Sequence, residues 1–161
     1  MAISDIHMAT SGLFAISATS QTPILCVQGS TTSRCWVVGI RVDIGVTAAS
    51  AGNSVLFQLY RTLNTPTLTG SLHGNSHDAA APASLWVYST TFGTAPTVTA
   101  GSQIWEQELP QTTGSSWEEF PPLGYEWSIP VNSGSTGWLV MMVTTSVSTS
   151  TPVSCDLIIS Q

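Results

Sequence analysis

Histidine and aspartate side chains provide the first candidate for chemistry in this sequence. His73, His77 and Asp78 form an H-x-x-x-H-D motif in a long polar stretch, and all three are residue types that bind Zn²⁺. Two histidines four residues apart converge on one ion when a helix places them on one face, but the glycine, asparagine and serine at residues 74–76 disfavour a helix. We therefore interpret the histidines as solvated loop residues, and we expect no metal and no other cofactor.

Glutamate side chains provide the second candidate, and five of them lie close together: Glu106, Glu108, Glu118, Glu119 and Glu126. In an extended strand, Glu106 and Glu108 share one face at roughly 7 Å. Glycosidases use two carboxylates about 5–9 Å apart, but they also require a substrate cleft that a sequence does not reveal. We interpret the glutamates as a solvated acidic face, and a glycan-cleaving enzyme and a Ca²⁺ site remain the weaker alternatives. The sequence has no G-x-S-x-G, P-loop, dinucleotide or paired C-x-x-C motif, so we expect no enzyme.

Six tryptophans are many for a chain of 161 residues. Tryptophan in strands most often anchors a core or an interface, but exposed rings also serve as platforms for sugars. Trp105 and Trp117 have polar neighbours near turns, so we expect these two to be exposed. With His73 and His77 they define an alternative site, in which the protein is a carbohydrate-binding module or an adhesin.

The charge of the chain excludes two classes of partner. The net charge is −6, there is no lysine, and the basic residues are Arg34, Arg41 and Arg61. A nucleic acid or an anionic membrane surface attracts a concentrated positive charge, which this sequence lacks. Charged residues are 7% of the chain, against about 25% in an ordinary globular protein. A surface with so little charge to desolvate favours close packing against other proteins.

Length and composition predict one domain that folds in a reducing compartment. The first residues have no basic region followed by an apolar run, so we expect no signal peptide and synthesis in a cytoplasm. Cys26 and Cys35 flank the turn at residues 29–33 and are candidates for a disulfide across a hairpin. Because disulfides are rare in reducing compartments, we favour three buried free thiols instead.

Alternating apolar residues predict an all-β fold. Residues 36–44 place Trp36, Val38, Ile40, Val42 and Ile44 at a spacing of two, which indicates a central strand with one buried face. Burial of five such side chains is worth on the order of 10 kcal/mol before entropy.

Turn signals between the apolar runs complete the predicted architecture. We predict a two-sheet β-sandwich or jelly roll of about eight to ten antiparallel strands. Residues 1–11 form an N-terminal arm, and residues 12–161 form the single domain. Residues 138–145 are apolar on both faces, so their outer face requires a loop or another subunit as a cover.

Two blocks of sequence resemble a known family. Residues 38–62 read V-G-I-R-V-D-I-G-V-T-A-A-S-A-G-N-S-V-L-F-Q-L-Y-R-T, and residues 117–142 read W-E-E-F-P-P-L-G-Y-E-W-S-I-P-V-N-S-G-S-T-G-W-L-V-M-M. The pair of strands, the long loop after them and the late Pro-Pro segment resemble the jelly-roll decoration, or cement, proteins of tailed-bacteriophage heads. The resemblance spans residues 35–145.

The resemblance implies a non-enzymatic homotrimer that binds the major capsid protein on the outer surface of a virion, away from the genome. It implies no nucleic acid, membrane or small-molecule partner. If the protein instead binds glycans, the resemblance implies that it is an adhesin on the virion. The side chains that would contact the capsid are in the arm: Ile3, Ile6, Met8, Leu13 and Phe14. Those that would form the trimer interface are in the strand apolar on both faces: Trp138, Val140, Met141 and Met142.

Overall fold

The computed structural model describes residues 6–17, 19–45, 53–76, 83–112, 114–146 and 150–161. These residues form fifteen strands and one short 3₁₀ helix, η1 (Ala100–Ser102). The strands are β1 (Ile6–Thr10), β2 (Phe14–Ile16), β3 (Thr22–Gln28), β4 (Cys35–Ile44), β5 (Ser54–Arg61), β6 (Thr67–Leu68), β7 (Leu72–His73), β8 (Asn75–Ser76), β9 (Val87–Ser89), β10 (Phe92–Thr94), β11 (Gln103–Pro110), β12 (Ser116–Glu119), β13 (Trp127–Ile129), β14 (Trp138–Thr145) and β15 (Thr151–Ser160).

The strands form two packed antiparallel sheets and a separate two-stranded ribbon. The β4 sheet has the order β12-β4-β15-β1-β8, with β13 also paired to β4 and β2 to β15. The β5 sheet has the order β11-β5-β14-β3-β9-β7, and the ribbon consists of β6 and β10. The predicted all-β sandwich is confirmed. The longer strands follow the orders β12-β4-β15-β1 and β11-β5-β14-β3, which is the arrangement of an eight-stranded jelly roll.

The predicted number of strands, about eight to ten, is wrong. Eight strands have four residues or more, namely β1, β3, β4, β5, β11, β12, β14 and β15, and the other seven have two or three. The short strands form within connections, where a run of two or three residues carries no detectable alternation. The sequence therefore predicted the jelly roll, but it did not predict the short paired strands within the connections.

A bulge in β4 changes which of its side chains face the core. Ile40, Val42 and Ile44 are buried as predicted, but Trp36 is 38% exposed and Val38 is half-buried. The register shifts between β4 and β15, where Ile158 and Ile159 are consecutive but pair with Gly39 and Val37. The extra residue in β4 reverses the alternation, so Cys35 and Val37 face the core. The prediction of five buried side chains on one face is wrong at Trp36 and Val38.

The predicted N-terminal arm does not extend to residue 11. Ile6–Thr10 forms β1, which pairs with β15 on one side and β8 on the other. The buried side chains of β1 are His7 and Ala9. The histidine therefore faces the core, whereas Ile6 and Met8 on either side of it do not. The alternation of Ile6 and Met8 marks the outer face of a strand. Residues 1–5 lie outside the described residues.

The chain itself covers both faces of β14. Leu139, Met141 and Val143 belong to the core between the sheets. Val140 and Met142 pack on the outside of the β5 sheet, beneath the ribbon of β6 and β10. The cover comes from Leu68, Phe92 and Val98. The predicted trimer interface is therefore corrected, because its side chains are buried within one copy: Trp138, Val140, Met141 and Met142.

The three cysteines are buried free thiols, as the favoured interpretation predicted. Cys26 lies in β3 and Cys35 in β4, and these strands belong to opposite sheets. The hairpin considered for a disulfide is not formed, because the connection between β3 and β4 crosses from one sheet to the other.

Candidate interaction surface

The outer face of the β4 sheet carries an exposed group of apolar side chains. The register places Ile6, Ser160 and Trp36 side by side on β1, β15 and β4, and it places Met8 next to Ile158 in the neighbouring row. Because side chains directly opposite in adjacent strands share a face, these residues form one continuous surface. The bulge in β4 creates this surface, since an unbroken alternation would have turned Trp36 into the core.

The turn that follows β12 extends this surface. The ring of Phe120 lies over Gly39, where an added Cβ would be 2.6 Å from the phenyl carbon Cε1. Phe120 is 57% exposed, Leu123 95% and Tyr125 77%. We call the combined surface the outer apolar patch, and it consists of Ile6, Met8, Trp36, Val38, Phe120, Leu123, Tyr125 and Ile158.

A shallow groove of about 470 Å³ lies within the patch. Trp36, Val38 and Leu123 form its apolar walls, and Glu126 is the charged residue that lines it. The Glu126 carboxylate accepts a hydrogen bond of 2.8 Å from the Gly124 backbone amide, which fixes the turn beneath Leu123. The groove suits an apolar side chain from a partner.

The opposite end of the same sheet face is charged. Arg41 forms an ion pair with Asp43, with 3.2 Å between Nε and Oδ2. In the register across the sheet, Glu118 and Asp156 flank Arg41 on either side. Three carboxylates around one guanidinium give this end a net negative charge. The sheet face is thus divided into an apolar half and an acidic half.

The residues predicted to contact a capsid only partly coincide with this surface. Ile6 and Met8 lie on the outer apolar patch. Leu13 is 74% exposed in the connection between β1 and β2, whereas Phe14 packs partly against the core. Ile3 lies outside the described residues.

The side chains predicted to bind glycans do not come together. Trp105 is 8% exposed, and its indole Nε1 donates a hydrogen bond of 2.9 Å to the Glu119 carboxylate, so the expectation that it is exposed is wrong. Trp117 is 43% exposed on β12. His73 is exposed on β7, the last strand at the edge of the β5 sheet away from β11. His77 lies outside the described residues.

The other chemical candidates are dispersed. The His73 ring contacts the Ser84 carbonyl through Nδ1 at 2.9 Å, while His77 and Asp78 are not among the described residues. Within the ranges that the structure describes, no group of three or more histidine, cysteine or acidic side chains is placed to hold a metal ion. In the same ranges, no helix is long and apolar enough to cross a membrane.

Glu106 belongs to a hydrogen-bonded network on the outer face of the β5 sheet. Its carboxylate accepts hydrogen bonds from the Gln103 amide at 2.7 Å and the Gln58 amide at 3.3 Å. The Tyr60 hydroxyl donates to Gln103 at 3.2 Å, and Gln21 donates to both Gln58 and Tyr60 at 2.8 Å. Glu106 is thus held by amide donors on the outer face of the β5 sheet.

Sequence reasoning missed the contribution of Phe120, Leu123 and Tyr125. These residues surround Pro121, Pro122 and Gly124, and the two prolines indicate only a break in strand pairing at a corner or an edge. The available signal was the presence of three large apolar residues in a turn. Because a turn points its side chains away from the core, that composition is typical of an exposed contact surface.

The fold and this surface define a jelly-roll protein with an exposed apolar surface on one sheet. No protein-family model matches the chain, and no curated protein matches it.

Proposed function

We propose that this protein is a non-enzymatic structural protein that binds the outer surface of a bacteriophage head as a homotrimer and stabilises it. The observation that carries the proposal is the outer apolar patch. Large exposed apolar patches on soluble proteins mark sites of contact with other molecules. The jelly-roll fold and the two sequence blocks that resemble decoration proteins support the phage head as the partner.

The patch provides enough apolar surface to hold a protein partner. Leu123, Tyr125 and Phe120 are more than half exposed, and complete burial of such a side chain is worth about 1.5–3 kcal/mol. Three of them would contribute several kcal/mol, and Trp36 would add to this from the edge of the groove. Because Trp and Tyr are the side chains that most often dominate binding energy, Trp36 and Tyr125 are the expected anchors.

The charge of the chain supports a protein shell rather than a polyanion as the partner. The net charge is −6 and lysine is absent, so a nucleic acid or an anionic membrane would repel the protein. An acidic protein with few charges to desolvate suits the outside of a capsid. Three patches on a trimer would bind neighbouring capsid subunits together and resist the pressure of the packaged genome.

Binding to phage heads tests the proposal. We expect the purified protein to sediment as a trimer and to co-sediment with heads of the phage that encodes it. The double variant Leu123→Ser, Tyr125→Ser should weaken head binding at least about tenfold, since it removes a few kcal/mol of apolar contact. Leu72→Ser is the matched control, because Leu72 is 57% exposed on β7, at the edge of the β5 sheet rather than on the β4 sheet, and should bind like the original chain.

Two results would contradict the proposal. One is a monomer that does not bind heads at any concentration. The other is a positive glycan array whose signal is lost in Trp117→Ala but retained in the Leu123→Ser, Tyr125→Ser variant. The second result would favour the adhesin, since Trp117 is the exposed tryptophan of the site predicted for glycans.

A further inference from the structure

The acidic half of the β4 sheet face borders the outer apolar patch directly. On β15, Asp156 and Ile158 are two residues apart, and Met8 of β1 lies next to Ile158. Residues at this spacing point to the same face of a strand and lie roughly 7 Å apart. A partner that covers Ile158 and Met8 is therefore within reach of the Asp156 carboxylate.

The same border continues on the other side of β4. Glu118 of β12 pairs with Arg41, and the Phe120 ring lies over Gly39, two residues before Arg41 on β4. Glu118 and Phe120 are thus also about one strand repeat, or roughly 7 Å, apart on this face. A carboxylate lies next to an apolar side chain of the patch on both flanks of β4.

The carboxylates at this border are available to a partner. Glu118 is exposed and Asp156 is half-buried. Within the described ranges, the ion pair of the chain joins Arg41 to Asp43, and no side-chain hydrogen bond reaches Glu118 or Asp156. Because one guanidinium offsets one of three carboxylates, an excess of two negative charges remains beside the patch.

The remaining charges of this face do not cancel that excess. Glu126 adds a carboxylate in the groove. Arg34 adds a guanidinium at the Trp36 end of the patch, with 5.7 Å between its Cζ and the centroid of the Trp36 ring. Trp36 and Arg41 are five residues apart on β4, which corresponds to roughly 15 Å along the strand. The negative excess is thus concentrated at the Arg41 end of the face.

We propose that the outer apolar patch binds a surface of the phage head on which a lysine or arginine lies beside an exposed apolar side chain. The apolar side chain packs on the patch, and the cation contacts the Glu118 and Asp156 carboxylates. The inference rests on the proposed function, because it specifies the chemistry of the head surface. Complementary charge of this kind fixes the orientation of a partner and speeds its association.

Charge also argues against a second copy of this chain as the occupant of the patch. Among the described residues, the face carries the carboxylates of Asp43, Glu118, Glu126 and Asp156 against the guanidinium groups of Arg34 and Arg41. Two copies that met through it would bring two surfaces of net negative charge together. Such like-charge contact is unfavourable, whereas a basic partner gains from both carboxylates at the border.

Binding of charge variants to purified heads tests the proposal. Glu118→Lys should weaken binding at least about threefold at low salt, because it replaces an attraction by a repulsion. Glu108→Lys is the matched control, since Glu108 is exposed on the outer face of the β5 sheet, and it should bind like the original chain. Arg41→Gln should instead tighten binding, because it removes a cation from the acidic half. Circular dichroism confirms the fold of each variant.

Salt separates the charged contribution to binding from the apolar one. The Debye length falls from about 10 Å at 0.1 M salt to about 3 Å at 1 M. At about 1 M salt, Glu118→Lys and the original chain should therefore bind heads alike. The double variant Leu123→Ser, Tyr125→Ser should remain weaker than both, because it lacks apolar contacts that salt does not screen.

The outcomes distinguish this inference from the proposed function. Unchanged or tighter head binding by Glu118→Lys overturns the inference, and the proposed function stands if the Leu123→Ser, Tyr125→Ser variant still binds weakly. Weaker binding by Arg41→Gln also overturns it, since a basic partner requires opposite shifts in Arg41→Gln and Glu118→Lys.

Self-association provides a further test. A dimer that forms without heads and dissociates in the Leu123→Ser, Tyr125→Ser variant overturns the inference, because a second copy then covers the patch. An original chain that binds no heads at any salt concentration contradicts both the inference and the proposed function. Opposite shifts in Glu118→Lys and Arg41→Gln that vanish at high salt support the inference.

Discussion

Single residues in the turn between β13 and β14 differ sharply in the room around them. Gly134 has φ +60° and nothing within 4 Å of an added Cβ. Gly137 has φ +80°, and an added Cβ would lie 2.6 Å from the Asn132 Cα and 2.8 Å from the Pro130 carbonyl oxygen. Both positions favour glycine for their backbone angles, but only Gly137 is also enclosed by backbone atoms.

We therefore expect Gly137→Ala to lower the free energy of unfolding by about 1–3 kcal/mol more than Gly134→Ala. The positive φ costs both variants about 1 kcal/mol, and the backbone contact adds the cost of overpacking to Gly137→Ala alone. Urea denaturation of the two variants measures the difference. Equal losses would show that the turn relaxes around the new methyl group.

The buried thiols predict how stability changes at alkaline pH. Burial raises the pKa of Cys26 to about 12. It also raises that of Cys155, with smaller contributions from the charges of Asp156 and Asp43. Above pH 9 the unfolded chain loses these protons while the folded chain keeps them, so the free energy of unfolding falls as the pH rises from 9 towards 12.

For each such thiol the slope is about 1.4 kcal/mol per pH unit. Cys26→Ala should therefore have a shallower decline of stability between pH 9 and 11 than the original chain, as measured by urea denaturation at each pH. In the folded protein at pH 8, a thiol reagent should react with none of the three cysteines until the chain unfolds. If the free energy of unfolding fell with the same slope in the variant and the original chain, ionisation of Cys26 would not be a cause of the decline.

At the scale of the element, the ribbon of β6 and β10 protects the outer face of β14. Phe92 and Leu68 pack against the buried cluster that contains Val140 and Met142. Phe92→Ala should lower the free energy of unfolding by about 1–3 kcal/mol, because Phe92 is only half-buried and so contributes less than a core phenylalanine. It should also increase the binding of a fluorescent apolar dye. The control is Leu85→Ala, since Leu85 is 53% exposed and should change neither quantity.

The elements were predictable from sequence where alternation is regular and long. The inner residues of β5 and β15 follow a strict spacing of two and are all buried, which is what such a spacing predicts. The prediction failed at β4, where one extra residue reverses the alternation, and at β1, where a buried histidine faces the core. A bulge depends on the partner strand, and burial of His7 depends on Trp86, which precedes β9 of the opposite sheet, so neither has a local signal.

At the scale of the whole molecule, the alternating apolar runs and the turn composition were enough to predict a jelly roll. They did not predict the cover of β14. The apolar pattern allowed a loop or a second subunit, and the resemblance to decoration proteins implied the second subunit. The outer apolar patch was not predictable either. It joins residues far apart in the chain, such as Trp36 with Leu123, and sequence separation hides such a neighbourhood until the topology is known.

The position of β15 in its sheet has a consequence for the order of folding. The strand lies between β1 and β4 and also pairs with β2, so three early strands depend on residues 151–160 for their hydrogen bonds. During synthesis on the ribosome those strands remain without this partner until residues 151–160 have emerged. Closure of the β4 sheet is then a late, long-range event of the kind that makes β-rich proteins slow to fold. Until it occurs, the unpaired edges of β1 and β4 are the sites most exposed to aggregation.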